Sequence, residues 1–129
     1  MRTCEIARSE WKSFADTFSR QHEGWLVSIA EETHPGEHEW LARDLPLHGV
    51  AAEISPTDGE IFVFAGGVTP HLSHAIAHPA SVTVEETDDG AQASLMITDV
   101  DGARTFVEFR SPMRSELVDG MAPQEVFRR

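Results

Sequence analysis

The chain has little of several residue types on which particular chemistries depend. Cys4 is its one cysteine, Lys12 its one lysine, and tyrosine is absent. A single cysteine excludes an internal disulfide and every zinc site built from several cysteines. No local motif makes Cys4 a nucleophile. Without tyrosine, a common proton donor is missing. Positive charge is scarce: 10 Lys+Arg stand against 22 Asp+Glu, a formal net charge of -12. A field of that sign repels nucleic-acid phosphates and anionic lipid, so no nucleic-acid partner is expected. It suits solubility, or a surface that docks a basic partner. No run approaches the roughly 20 apolar residues of a membrane span, and Met1–Ile6 lacks the apolar core of a signal peptide. No membrane partner is expected, and the cytoplasm is the expected compartment. Glycine-rich phosphate or dinucleotide loops, a Gly-x-Ser-x-Gly elbow and a His-Glu-x-x-His zinc motif are all missing, so no cofactor is expected.

What is present reads as one domain over residues 1–129, with residues 1–5 and 122–129 expected to be loose ends. The 129 residues are 40% hydrophobic, enough for a core that needs no metal or disulfide. Trp11, Phe14, Ala15 and Phe18 recur at i, i+3, i+4 and i+7, one stripe of a helix over about 9–21. Ser9 is its expected N-cap, and Gly24 lies just past its end. After Gly24 the period changes to two. Strands are expected at Trp25–Ile29, around Leu41–Leu47, at Val50–Ile54 and at Ile61–Ala65, then through Leu72–Ile76 and Val82–Val84.

The last two strands, Leu95–Thr98 and Thr105–Val107, flank Asp101-Gly102, the preferred pair for a two-residue turn. That turn sets Thr98 opposite Thr105, Ile97 opposite Phe106 and Asp99 opposite Arg104. The fold class is therefore α+β: an N-terminal amphipathic helix packed on a bent antiparallel meander of seven to eight strands, either a small barrel or sandwich-like.

The candidate site residues are histidines and tryptophans. His71, His74 and His78 fall within eight residues. On a helix they share one face and form a metal-binding edge. On a strand His74 and His78 share a face, His71 takes the other, and the three-histidine site breaks up. Leu72-x-His74-x-Ile76 favours the strand. His74, Trp25 and Trp40 are the candidate residues for binding a ligand. The adjacent carboxylates Glu31-Glu32, Glu85-Glu86 and Asp88-Asp89 lie at strand ends or turns and read as solvated edges.

Several stretches together resemble an uncharacterised bacterial family known only as a domain of unknown function. They are Glu10-Trp11…Phe14…Phe18-Ser19-Arg20…His22-Glu23-Gly24-Trp25, Leu45-Pro46-Leu47-x-Gly49, His71-Leu72-x-His74-x-Ile76-x-x-Pro79, and the Asp101-Gly102 hairpin running into Phe109-Arg110-Ser111-Pro112. The resemblance covers about residues 5–115. It implies a shared fold and brings no activity, cofactor or catalytic residue. The sequence does not determine a function. The first reading is a non-enzymatic accessory or binding module for a protein partner or small ligand. The alternatives are a metal-binding or histidine-dependent enzyme using His71, His74 and His78, and a homodimer formed through an edge strand.

Overall fold

A computed structural model describes residues 2–66 and 71–110. In chain order the elements are β1 (Arg2–Ile6), a 3-10 turn (Arg8–Glu10), α1 (Trp11–His22), β2 (Leu26–His34), β3 (Glu37–Ile54), β4 (Gly59–Gly66), β5 (His71–Ala77), β6 (Pro79–Glu86), β7 (Gln92–Asp99) and β8 (Arg104–Phe109). All eight strands lie in one antiparallel sheet with the order β1-β6-β7-β8-β2-β3-β4-β5. The fold class is α+β with one helix on a bent sheet. The barrel alternative is corrected: β1 and β5 are edges that do not pair with each other, so the sheet stays open.

The meander comes in two runs, β2 to β5 and β6 to β8, joined where β8 pairs with β2. One residue, His78, links edge strand β5 to β6. It holds a left-handed φ of 52°, its N–H donates to Gly59 O, and its carbonyl accepts from Val100 N–H. So short a link between strands that are not neighbours requires the sheet to fold over itself. The inner faces of β4–β5 and β6–β7 then meet around α1 in one hydrophobic core.

The helix behaves as its stripe requires. Trp11, Ala15 and Phe18 are buried, and His22 extends the same stripe by one turn. Ser9 does not cap α1. It lies in the 3-10 turn, and the residue preceding the helix is Glu10, without a side-chain cap bond. Gly24 follows the helix with φ +86°, a conformation that glycine adopts without steric cost. Ser19 docks α1 onto β3: its hydroxyl accepts from Val50 N–H at 2.8 Å. Gly49 permits the approach, because a Cβ there would sit 3.3 Å from Ser19 Oγ.

Residues expected to be loose or to form separate strands are ordered differently. Arg2–Ile6 pair along their length with β6. Residues 122–129 lie outside the described residues. The strands expected at Leu41–Leu47 and Val50–Ile54 are one 18-residue strand, β3, running through Pro46 and Gly49. Its first part pairs with β2 and its second with β4.

The final hairpin register is one residue away from expectation. Thr98 faces Arg104, Ile97 faces Thr105 and Leu95 faces Val107. The loop contains three residues rather than two. Asp99 N–H bonds Ala103 O, while Asp99 Oδ1 accepts from the N–H groups of both Asp101 and Ala103. Gly102 then takes the left-handed position, φ +94°, typical of three-residue hairpin loops. Since side chains alternate, this single step decides that Thr105, Val107 and Phe109 face the core and that Phe106 faces outward. A Cβ at Gly102 would touch nothing within 4 Å, so the cost of Gly102→Ala is backbone strain alone, about 1 kcal/mol. Urea unfolding should show that loss with an unchanged m-value.

Candidate docking face

The site begins with an irregularity in β3. Val27 pairs with Leu45, Ile29 with Ala42 and Ala30 with Trp40. Four residues of β3 (Leu45 to Ala42) therefore span three of β2 on one side of Ala42, and three (Ala42 to Trp40) span two on the other, giving two β-bulges in a row. Asp44 absorbs one of them with φ 52°, its N–H donating to Ser28 Oγ at 3.2 Å. The other leaves Leu41 as the extra residue. With regular pairing, Leu41 would oppose Ala30, and Trp40 would oppose Glu31 on the inner face. The bulge moves Trp40 to the outer face, the kind of re-aiming that bulges provide.

There Trp40 ends an apolar row that crosses four strands in register. Trp40 (β3) is opposite Ala30 (β2), Ala30 is opposite Phe106 (β8), and Phe106 is opposite Met96 (β7). Ala30 is buried yet belongs to no part of the main core, because its cover is this outer row. Trp40 itself is 44% exposed. Both rings carry an arginine. The Arg43 guanidinium lies 4.4 Å from the Trp40 centroid, and that of Arg104 lies 5.5 Å from Phe106. His38 meets Phe106 edge-on at 5.5 Å between centroids.

Glu32 anchors this face. Its place in an acidic pair suggests a solvated edge, but it is 6% exposed. Its Oε1 accepts from Arg104 Nε at 2.7 Å and pairs with Arg104 Nη2. Its Oε2 accepts from Gly36 N–H at 3.0 Å and lies 3.2 Å from His38 Nε2. One carboxylate thus ties β2, the β2–β3 turn, β3 and β8 together. The Gly36 amide and Arg104 hold its pKa below the usual carboxylate value.

The sequence-flagged residues occupy separate settings. Trp25 is half-buried in an aromatic cluster, 4.7 Å from His22 and 5.1 Å from Phe109 between centroids. His74 lies on the inner face of β5, its Nε2 3.1 Å from Thr105 Oγ1. His71 is exposed on the outer face beside Phe64 and His48. His78 sits at the corner, its Nδ1 2.7 Å from Asp58 Oδ1, and Asp58 raises its pKa. The segment is a strand, and its three histidines point to the outer face, the inner face and the corner. Among the described residues, no group of three His, Cys, Asp or Glu side chains is placed to hold a metal.

The buried imidazole is instead His22, whose Nδ1–H donates to Phe18 O at 2.8 Å. Burial pushes its pKa down. The i+4 continuation of the helix stripe from Phe18 was the signal for it. Between α1 and the sheet, the space bounded by Trp11, Phe14, Val50, Ile61, Leu95 and Ile97 amounts to about 10 Å³, room for about one water.

The chain belongs to the family of unknown function DUF5335, whose sequence model matches residues 2–118. The family match spans both bulges of β3 and every residue of the outer row. No curated protein and no solved structure matches the chain. Among the described residues, no helix is long and apolar enough to cross a membrane.

The depressed Glu32 pKa has a testable sign. A carboxylate ionised more readily in the fold adds stability above its unfolded value, near 4.5, and loses it as pH falls through the folded value. Wild type should therefore exceed Glu32→Gln in urea unfolding at pH 7, and the gap should close as the pH falls well below 4.5. A gap independent of pH would contradict the assignment.

Proposed function

We propose that this domain is a non-enzymatic protein-binding module whose docking face is the row Trp40–Ala30–Phe106–Met96. The observation that carries the reading is the bulge that turns Trp40 outward, with Arg43 stacked on its ring. Placing a large indole in water gives up burial worth about 2 kcal/mol or more, and the left-handed Asp44 costs about 1 kcal/mol besides. Strain beside an exposed indole that adds nothing to the core supports a role in binding. Trp, Arg, Phe and Met are also the residues enriched at the centres of protein interfaces.

The partner's chemistry follows from the rim. Arg43 takes part in no ion pair among the described side chains and is committed only to the indole. Arg104 and His38 flank the other end of the row. An apolar segment edged with carboxylates fits this face, the acids pairing with Arg43 and His38 while its apolar side chains cover Phe106 and Met96. The helix–sheet space is barely water-sized, so it does not take a small ligand. A lone half-buried cysteine supports a reducing, cytoplasmic setting for such a module.

The test is selection of a displayed random-peptide library on the wild-type domain, with counter-selection on Trp40→Ala. Trp40 is nearly half exposed and outside the core, so the variant should fold with a stability change of about 0.5–1 kcal/mol. Enriched peptides should combine aromatic or aliphatic residues with Asp or Glu, and should bind Trp40→Ala and Arg43→Ala about tenfold or more weakly. Enrichment of peptides that bind Trp40→Ala equally well, or no enrichment at all, would overturn the proposal.

A further inference from the structure

The two edges of the sheet are defended very differently. Edge strand β1 carries Arg2 and Glu5, and Arg2 is ion-paired to Glu86 of β6. Charges of this kind blunt an edge against pairing with another chain. Edge strand β5 reads His-Leu-Ser-His-Ala-Ile-Ala. It contains no Lys, Arg, Asp, Glu or Pro. Its outer-face residues His71, Ser73, Ala75 and Ala77 are all exposed. Among the described residues no strand pairs with its far side. Such an edge presents free N–H and C=O groups in the spacing that another strand requires.

The outer face beside this edge has a polarity of its own. Phe62 lies opposite Ala75, and Phe64 opposite Ser73. The two phenylalanine rings stack at 6.1 Å between centroids, with a 12° tilt. Both are only half-buried, on the face away from the core. At the Ala77 end, Glu60 lies opposite both Ala77 and Glu53. Like charges directly across a pair of strands repel, and neither Glu53 nor Glu60 is in an ion pair among the described side chains. The edge therefore offers backbone that no strand pairs among the described residues, an aromatic stripe, and an acidic end where His78 feels the charge of Glu60 but no Lys or Arg forms an ion pair with it.

We infer that β5 is a receptor edge for an extended, basic and apolar segment of a partner protein. The segment adds to the sheet antiparallel to β5, as every pair in the sheet is antiparallel. That direction places the segment's N-terminal end beside Ala77. Lys or Arg there lies about 10 Å from the Glu60 backbone, two strand spacings, a gap that the two side chains span together. Farther along, alternate apolar side chains cover Phe62 and Phe64 while the main chain pairs with β5. A second copy of this chain fits less well. Each copy brings a net charge of -12, and neither β4 nor β5 has a Lys or Arg to offset it. This edge is a surface separate from the Trp40 row and does not depend on it.

The test uses the full chain and a rhodamine-labelled peptide, Lys-Thr-Lys-Thr-Val-Thr-Val-Thr, whose Lys and Val side chains share one face of a strand. Controls are its reversed sequence and a version N-methylated at alternate residues on its pairing edge. Fluorescence anisotropy gives affinity, and amide chemical shifts give location. The peptide should bind saturably, with shifts concentrated in β5 and β4. N-methylation should weaken it about tenfold or more, since it removes main-chain donors. Glu53→Gln/Glu60→Gln should weaken it about three- to fivefold at low salt, and Trp40→Ala should leave it unchanged. The proposal is overturned if the N-methylated peptide binds equally well, if the shifts map to β1 or to the Trp40 row, or if no saturation is reached by about 1 mM. Concentration-dependent dimerisation abolished by Ala75→Lys would likewise overturn it, by giving the edge to a second copy.

Discussion

Everything distinctive about this fold depends on β3, a single strand made to serve two halves of a sheet. A strand's side chains alternate strictly, so one that is long enough to leave one neighbour and join another must keep its apolar residues on the core side throughout. β3 pairs with β2 over its first part and with β4 over its second. Its pairings shift register four times: near the β2–β3 turn, around Ala42 on both sides, and again between Leu47 and Gly49. Each reset adds bend and twist. The accumulated bend allows the sheet to fold over α1, and the last reset places Gly49 and Val50 where Ser19 can dock.

The outer surface follows from the same constraint. The resets that keep Ala42 and Leu47 in the core also decide what faces water, and they put Trp40 there. Glu32 then fixes the neighbourhood by holding Arg104 of β8, His38 of β3 and the Gly36 amide of the β2–β3 turn. Lost hydration is offset only when a buried carboxylate is this fully bonded. The result is a stiff apolar row framed by cations on a molecule that is otherwise strongly acidic. On the other half of the sheet, β5 lies bare for a different physical reason: the link through His78 leaves it at an edge, with no strand on its far side among the described residues.

Much of this was legible from local pattern and little from long-range pairing. The α1 stripe could be read because Trp11, Phe14, Ala15 and Phe18 state a helical period within eight residues. The strand character of residues 71–77 could be read because Leu72, His74 and Ile76 alternate. His22 was one turn beyond the stripe and went unrecognised as a core residue. β3 was divided in two because Pro46 and Gly49 look like punctuation, whereas here they sit within a strand that bends. The hairpin register slipped by one because Asp101-Gly102 suggests a two-residue turn, while the side chain of Asp99 organises a three-residue loop. Trp40 was noticed as an aromatic residue, but its outward direction depends on bulges that only the pairing with β2 reveals. Glu32 hid in an acidic pair because its partners Arg104 and His38 come from other strands.

The central claim is that the bulge at Leu41 holds Trp40 on the outer face in the free protein. Labelling the full chain with 5-fluorotryptophan gives one fluorine resonance for each of the three tryptophans, and Trp40→Phe identifies the one of interest. Relaxation by a soluble paramagnetic gadolinium chelate then reads the exposure of each ring. The expected result is strong relaxation of Trp40, weak relaxation of buried Trp11 and an intermediate value for Trp25. A Trp40 resonance as protected as that of Trp11 would place the indole on the inner face and contradict the bulged register.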